Sequence, residues 1–348
     1  MFASPSMPVE FDLQRWLASS GASDLEESVA SSSTSDAGSN VSDVGVRRAV
    51  FLDVRSEKAF EERRLEHSAN VPLGSLDRNG HVLPPRSTPF VLIADPESCD
   101  DVCAQLERFS GDFKGVSWNV TAAFAGDDSF FDACAESGKT LLKVSSGRVD
   151  ARDRLRLWDP SPELYRWLPQ VERALGAVAG ETSGATCVDL GSGAGRDAVW
   201  AASRGWHVIA IDNDAKGLDR CAALAERHGV SSMVTTLKLD LTKTSSDDVF
   251  SAISAVHSGK VSVVYAVRYL HKPLVRDLSH LMPPKSAVLW FHFMRGCENT
   301  SVGRPTKDRD LLESSELRDA FDSWTLLVDN VVQLPDGRPV SEFAALKE

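Results

Sequence analysis

The sequence lacks several patterns that would place it in a class at once. Its six cysteines are scattered without a Cys-x-x-Cys pair, which indicates reduced thiols and neither a zinc site nor a disulfide framework. No apolar run approaches the roughly 20 residues that a membrane-spanning helix needs. Basic residues number 38 against 50 acidic ones, a net charge of −12, which disfavours general attraction to nucleic acid or to an anionic membrane. The N-terminus lacks the basic-then-apolar order of a secretory signal, so a cytoplasmic location is expected.

The chain does contain two stretches in which strands and helices alternate. Its 348 residues are too many for one ordinary core, so two domains are expected. Residues 1–45 are predicted to be a disordered tail, because Ser, Ala, Gly and acidic residues dominate 19–42; a short helix at 11–17 could dock on a domain. A smaller domain is predicted at 46–143, a linker at 144–156 and a second domain at 157–348.

Apolar runs locate the strands of both domains. In the smaller domain we predict helices at 57–65 and 100–109 and strands at 49–54, 89–94 and 115–120. In the second domain a helix at 161–178 precedes strands at 185–190, 207–212, 234–240, 261–269 and 287–294. Alternation of this kind predicts parallel sheets and an α/β fold class. The end differs, because Pro335-Asp336-Gly337 predicts a hairpin between 324–333 and 339–346, so the last strand should run antiparallel to its partner.

A glycine-rich loop follows the first strand of the second domain, in Val188-Asp189-Leu190-Gly191-Ser192-Gly193-Ala194-Gly195-Arg196. Glycines are needed where a ligand approaches the backbone closely. The spacing is Gly-x-Gly-x-Gly, whereas a dinucleotide site prefers Gly-x-Gly-x-x-Gly, and Asp189 would be unwelcome beside a pyrophosphate. A carboxylate there suits a cationic ligand. S-adenosylmethionine (SAM), which carries an amino group and a sulfonium, is such a ligand.

Acidic residues also end the next two strands. Asp212 is placed to accept hydrogen bonds from both ribose hydroxyls, and Asp240 to meet the amino group of adenine. Three acidic strand ends in this order, together with the loop, predict a SAM site. Taken singly, Asp212 or Asp240 could instead cap a helix.

Residues 157–348 resemble class I SAM-dependent methyltransferases, and in particular the tellurite-resistance-type branch. The similarity is carried by residues 157–162, 195–200, 204–208, 268–274 and 303–305. The resemblance implies a seven-stranded Rossmann-like sheet, SAM as cofactor and no metal. It implies a cofactor site formed by Asp189, Gly191, Ser192, Gly193, Gly195, Asp212 and Asp240. The sequence departs from the family at Ser192, where relatives often have cysteine, and at Pro283-Pro284-Lys285, where Pro-Gly-Gly is common.

Residues 46–143 resemble a rhodanese-like domain, on the evidence of 52–55, the helix from Glu57 and 67–73. Active relatives have a cysteine directly after the strand at 89–94, in a loop whose amides cradle a persulfide. Here Asp95 takes that place, and its carboxylate with that of Glu97 would repel an anionic persulfide. The domain is therefore expected to be catalytically inactive, with Cys99 as the alternative nucleophile.

The methyl acceptor is expected beyond the carboxyl ends of the strands of the second domain. The candidate catalytic residues there are Arg268, Tyr269, His271, His292 and Arg304. Among them His271 could act as a base and an arginine could orient an anionic acceptor, although each residue could instead be structural. A small-molecule acceptor is expected by resemblance, nucleic acid is disfavoured, and the rhodanese-like domain would bind a partner or shape the substrate entrance. Two other classes stay open, a non-enzymatic SAM-binding scaffold and a nicotinamide-dependent enzyme.

Overall fold

The computed structural model describes residues 12–18, 50–76, 80–84, 88–98, 102, 118–176 and 185–348. The chain divides into two compact units, Met1–Asp159 and Pro160–Glu348. Among the described residues, no helix has the length and apolar character needed to cross a membrane. The same residues contain no group of three or more His, Cys, Asp or Glu side chains arranged to hold a metal ion.

The first unit is built on a four-stranded parallel sheet in the order β3-β1-β4-β5. Its helices are α1 (Leu13–Leu17), α2 (Glu57–Glu62), α3 (Leu73–Leu76) and α4 (Asp128–Glu136). Its strands are β1 (Phe51–Asp53), β2 (Arg64–Leu65), β3 (Ser68–Asn70), β4 (Phe90–Ala94), β5 (Val120–Ala125) and β6 (Val144–Ser145). Helix α1 docks as expected: the buried Trp16 ring lies 6.2 Å from that of Phe51 and 5.7 Å from that of Phe124, centroid to centroid.

Three expectations for this unit were wrong in detail. The helix predicted at 57–65 ends at Glu62, and Arg64–Leu65 form strand β2. The third strand is Val120–Ala125 rather than 115–120, where 115–117 lie outside the described residues. Its Thr121-Ala122-Ala123 segment has little apolar signal, but the strand pairs with the buried strand β4, with an irregularity in the register at Thr121. Val144 and Ser145, assigned to the linker, form strand β6 against β2. The predicted helix at 100–109 and the predicted disordered tail fall mostly outside the described residues.

The second unit has a seven-stranded sheet in the order β12-β13-β11-β10-β7-β8-β9. Its strands are β7 (Thr186–Leu190), β8 (His207–Asp212), β9 (Val234–Lys238), β10 (Val261–Val267), β11 (Ser286–Phe291), β12 (Thr325–Gln333) and β13 (Pro339–Lys347). Its helices are α5 (Pro162–Ala174), α6 (Arg196–Ser203), α7 (Ala215–Arg227), α8 (Ser246–Val256), α9 (Lys272–Leu281) and α10 (Glu316–Ala320). Strand β13 pairs antiparallel with both neighbours, and the pairs among the other strands are parallel. The predicted α/β sheet with an antiparallel last strand is confirmed.

The sheet order determines where a ligand can bind. Strands β8 and β9 lie to one side of β7, and β10 and β11 lie to the other. The order therefore reverses between β7 and β10, and a crevice opens there at the carboxyl ends of the strands. Strand β7 is buried along its whole length, as is usual for a strand covered by helices on both faces.

Candidate active site

The loop between β7 and α6 contains three glycines with positive φ: 77° at Gly191, 54° at Gly193 and 79° at Gly195. A Cβ atom at Gly191 would lie 2.6 Å from Tyr269, and one at Gly195 would lie 2.2 Å from Cys221 Sγ. A Cβ at Gly193 would meet no atom within 4 Å. The outer two glycines therefore allow the loop to pack against protein, whereas Gly193 borders open space that a ligand can approach.

Asp212, at the end of β8, holds this loop in place. Its Oδ2 accepts a hydrogen bond from the Gly193 N–H at 2.8 Å, and its Oδ1 accepts one from the Asp214 N–H at 2.8 Å. Each carboxylate oxygen has a second acceptor position, so these contacts leave Asp212 able to accept from a ligand hydroxyl.

Asp189 lies one residue before the end of β7, with only 2% of its surface exposed. Burial raises its pKa well above the ordinary value, and the negative charges of Asp197 and Asp212 raise it further, whereas the nearby Tyr265 hydroxyl opposes the shift. Its Oδ2 has no hydrogen-bond partner among the described residues, and neither has the buried hydroxyl of Ser192. A cationic ligand would satisfy this carboxyl and favour its ionised form.

Asp240 follows β9 and is already engaged by its own turn. Its Oδ1 accepts from the N–H and the hydroxyl of Thr242 at 3.1 and 2.6 Å, and its Oδ2 accepts from Lys243 Nζ at 2.8 Å. The hydrogen bond from Lys243, followed by that from Thr242, lowers its pKa to about 2. These contacts correspond to the alternative in which Asp240 has a local capping role. A contact of Asp240 with adenine therefore stays a prediction.

Tyr269 follows the end of β10 and lies against the glycine loop. Its ring packs against Gly191, and its buried hydroxyl has no hydrogen-bond partner within the described part of the chain. Burial raises its pKa to about 12, with further contributions from the charges of Asp240 and Asp212. Tyr269 is therefore protonated at neutral pH and available as a hydrogen-bond donor.

His271 is the N-cap residue of α9, two positions beyond Tyr269. Burial lowers its pKa, and this effect is opposed by the nearby carboxylates of Asp240 and Asp277. A neutral imidazole can accept a proton, so His271 has the charge state of a general base near neutral pH.

Arg268 and His292 lie near each other but are occupied by other contacts. Arg268 Nη2 donates to Glu163 Oε1 at 2.6 Å and Nη1 donates to the Phe291 carbonyl oxygen at 3.0 Å. The Nε2 of His292 bonds to the Asp310 carbonyl oxygen at 3.1 Å, so that nitrogen is the protonated one. Burial, more than the positive charge of Arg268, lowers the pKa of His292 to about 4. His292 is consequently neutral, with Nε2 hydrogen-bonded and its buried Nδ1 without a partner among the described residues.

Arg304 is exposed, and no described residue forms a hydrogen bond or an ion pair with it.

The residues brought together around the loop are Tyr269, Asp189, Asp212 and Asp240. Sequence reasoning missed Glu163, which pairs with Arg268 across 105 positions. The local sequence places Glu163 in the first turn of a helix after Pro162, where an acidic residue is favoured by the helix dipole alone, so it carries no sign of this pairing.

Comparison with known proteins agrees with this geometry. Residues 187–273, which include the loop and the ends of β8, β9 and β10, match the sequence family described as "Methyltransferase domain". Over most of its length the chain is similar to UNK4.09, an uncharacterized protein of Schizosaccharomyces pombe. The identity is 23% over 331 residues, which are 85% of this chain and 93% of the relative. The alignment therefore includes residues of both units.

Solved structures of methyltransferases are also similar to this chain. TehB from Haemophilus influenzae has 15% identity and a TM-score of 0.38 over 52% of this chain and 62% of its own. The 1,6-didemethyltoxoflavin-N1-methyltransferase of Burkholderia thailandensis, solved with 1,6-didemethyltoxoflavin and S-adenosylhomocysteine, has 16% identity and a TM-score of 0.37 over 53% of this chain and 78% of its own. The match over 187–273 supports a SAM-dependent methyltransferase activity, with S-adenosylmethionine as the cofactor.

Proposed function

We propose that the second unit transfers the methyl group of SAM to a small-molecule acceptor. The observation that carries this proposal is the open space at Gly193, whose N–H donates to the Asp212 carboxylate, together with the unpaired Oδ2 of Asp189 at the end of the preceding strand. The cofactor is held by Asp189, Gly191, Ser192, Gly193, Gly195, Asp212 and Asp240.

Within this site each carboxyl group interacts with a different part of the cofactor. Asp212 accepts from the ribose while it holds the Gly193 N–H, and Asp189 supplies negative charge beneath the loop. Asp240 marks the adenine end, where its Oδ2, which accepts from Lys243, can accept a second hydrogen bond. When bound, SAM supplies a methyl group on a positively charged sulfur, which is transferred by in-line displacement. The protein therefore mainly has to align the acceptor and to provide a route for its proton.

The acceptor lies at the ends of β10 and β11. Tyr269 donates a hydrogen bond from its unpaired hydroxyl, and the neutral His271 takes the acceptor's proton. His292 is less suited to that role because burial lowers its pKa to about 4, which makes it a weak base, and its Nε2–H donates to a carbonyl oxygen. Arg304, which is exposed, is the arginine left to orient an anionic acceptor, since Arg268 is ion-paired.

We further propose that residues 46–143 form a rhodanese-like domain without sulfurtransferase activity, which binds a partner or shapes the substrate entrance. Support comes from the residues around the carboxyl end of β4. Arg55 is buried and pairs with Asp53 at 2.7 Å, and it also donates to the carbonyl oxygens of Gly126 and Arg63. These contacts give Asp53 and Arg55 a structural role. The carboxyl group of Asp95 follows β4 directly, where a persulfide-carrying cysteine would be needed.

Ligand binding and turnover test separate parts of the proposal. In a thermal-shift comparison, SAM and S-adenosylhomocysteine should raise the melting temperature, whereas NAD and NADP should not. A shift by NAD alone would contradict the cofactor assignment. The protein should next be incubated with methyl-labelled SAM and a cell extract separated into small-molecule, protein and nucleic-acid fractions. Label in the small-molecule fraction is expected. Label only in protein or nucleic acid would contradict the acceptor class, and no enzyme-dependent label would favour a scaffold.

A further inference from the structure

Two buried glutamates on α5 differ in how well they are satisfied. Glu172 receives three hydrogen bonds: Arg204 Nη2 donates to its Oε2, and Arg204 Nε and Trp206 Nε1 donate to its Oε1 at 3.0 and 2.8 Å. Glu163, only 4% exposed, receives one, from Arg268 Nη2 to its Oε1 at 2.6 Å. Glu163 Oε2 is buried and has no partner among the described residues. An unpaired carboxylate oxygen in such a place is costly unless something else binds it.

The two glutamates also lie at opposite edges of the sheet. Arg204 and Trp206 precede β8, at the amino ends of the strands, whereas Arg268 follows β10, at the carboxyl ends. The unsatisfied glutamate is thus the one at the edge where the glycine loop lies. Glu172 has the contacts of a structural ion pair, and Glu163 receives one hydrogen bond where Glu172 receives three.

Around Glu163 the carboxyl groups of Glu163, Asp197 and Asp189 outnumber the two arginines, Arg268 and Arg196. Burial, and to a lesser degree the charge of Glu163, raises the pKa of Asp197, which lies in the first turn of α6, directly after the loop. The Ser161 N–H donates to Asp197 at 2.6 Å, which ties the start of α5 to α6. The charge of Asp197 in turn acts on Asp189 beneath the loop. A positively charged ligand group would stabilise this row of carboxyl groups.

The orientation of SAM along the sheet edge would place a positively charged group near Glu163. With adenine at the end of β9 and ribose at the end of β8, the methionyl part extends across β7 towards β10, as the sheet order requires. That end of SAM carries the α-ammonium group. We propose, on the basis of the function proposed above, that Glu163 binds the α-ammonium of SAM through Oε2.

Arg268 is then a positioning residue that acts through Glu163. Its backbone has φ of 59°, which is uncommon for a residue other than glycine, and its N–H and Nη1 both donate to the Phe291 carbonyl oxygen. These contacts fix the guanidinium at the end of β11, from where Nη2 holds Oε1 and leaves Oε2 for the ligand.

Calorimetric titration with two ligands tests this assignment. Glu163→Gln and Glu172→Gln both neutralise a buried glutamate of α5, and each is titrated with SAM and with a SAM analogue that lacks the α-amino group. Loss of a charge-assisted hydrogen bond corresponds to about ten-fold to hundred-fold weaker binding. We expect this loss for Glu163→Gln with SAM, equal binding of the analogue by wild type and Glu163→Gln, and unchanged SAM affinity for Glu172→Gln.

Other results would overturn the inference. If Glu163→Gln binds SAM as wild type does, or loses the analogue to the same degree as SAM, Glu163 does not contact the ammonium. If wild type itself binds neither SAM nor S-adenosylhomocysteine, the proposed function fails as well, so the two failures are distinguishable. Should Glu163→Gln not fold, Glu163→Asp, whose carboxylate is one methylene shorter, is titrated with the same pair. It should then weaken SAM more than the analogue, and equal weakening would reject the contact.

Discussion

Gly193 and Gly195 lie in the same loop, but Gly193 is expected to contact the ligand, whereas Gly195 packs against protein. Gly193 and Gly195 both have positive φ, so alanine at either position costs about 1–2 kcal/mol for the left-handed backbone. At Gly195 the new Cβ would also lie 2.2 Å from Cys221 Sγ. Overpacking of that kind brings the total to about 2–5 kcal/mol. At Gly193 there is no such clash, because no atom lies within 4 Å.

These costs predict different outcomes for Gly193→Ala and Gly195→Ala. In a unit of this size a loss of 1 kcal/mol lowers the melting temperature by about 2–4 °C. Gly193→Ala should therefore melt about 2–8 °C below wild type and remain folded at room temperature, and Gly195→Ala should melt lower still. SAM affinity of Gly193→Ala should fall by about ten-fold or more, because its methyl group occupies the ligand's space.

The assay combines thermal unfolding of the full chain with calorimetric titration of SAM. The transition of the second unit is recognised as the one that SAM raises in wild type. Unchanged SAM affinity in folded Gly193→Ala, or in the bulkier Gly193→Val, would refute the assignment of this loop. Equal melting temperatures of the two alanine variants would refute the packing argument for Gly195.

Three further predictions concern other residues. His271→Ala should bind SAM like wild type and lose most of its turnover on the true acceptor, whereas turnover at the wild-type rate would remove His271 from the mechanism. The protein should show no thiosulfate–cyanide sulfurtransferase activity, because Asp95 stands at the nucleophile position; cyanolysis that disappears in Cys99→Ser would contradict this. The folded-state pKa of Asp189 is raised, so the stability it contributes is present below the ordinary value and is lost as pH rises through the raised pKa. The unfolding free energy of Asp189→Asn minus that of wild type should therefore grow with pH in urea titrations, and a constant difference would exclude a buried, titrating Asp189.

Local patterns were sufficient for much of the second unit. Strand His207–Asp212 matches its predicted bounds, and the Pro335-Asp336-Gly337 turn predicted the antiparallel strand. Such patterns succeed because a strand covered on both faces needs a continuous apolar run, whatever its partners. The prediction for strand Val120–Ala125 was wrong because its small side chains give little apolar signal. Its position is decided by its pairing with β4.

The sequence alone determined that a glycine loop and acidic strand ends would meet at one edge of a parallel sheet. That conclusion needs only the chain order and the rule that parallel strands end together. The tertiary structure decided which charged groups at that edge are free. Glu163 and Glu172 are the same residue type on one helix, yet residues far away in the chain satisfy only Glu172 fully. Arg268 is likewise ion-paired with Glu163, and burial keeps His292 neutral. Burial and pairing depend on contacts between distant segments, so local sequence does not contain them.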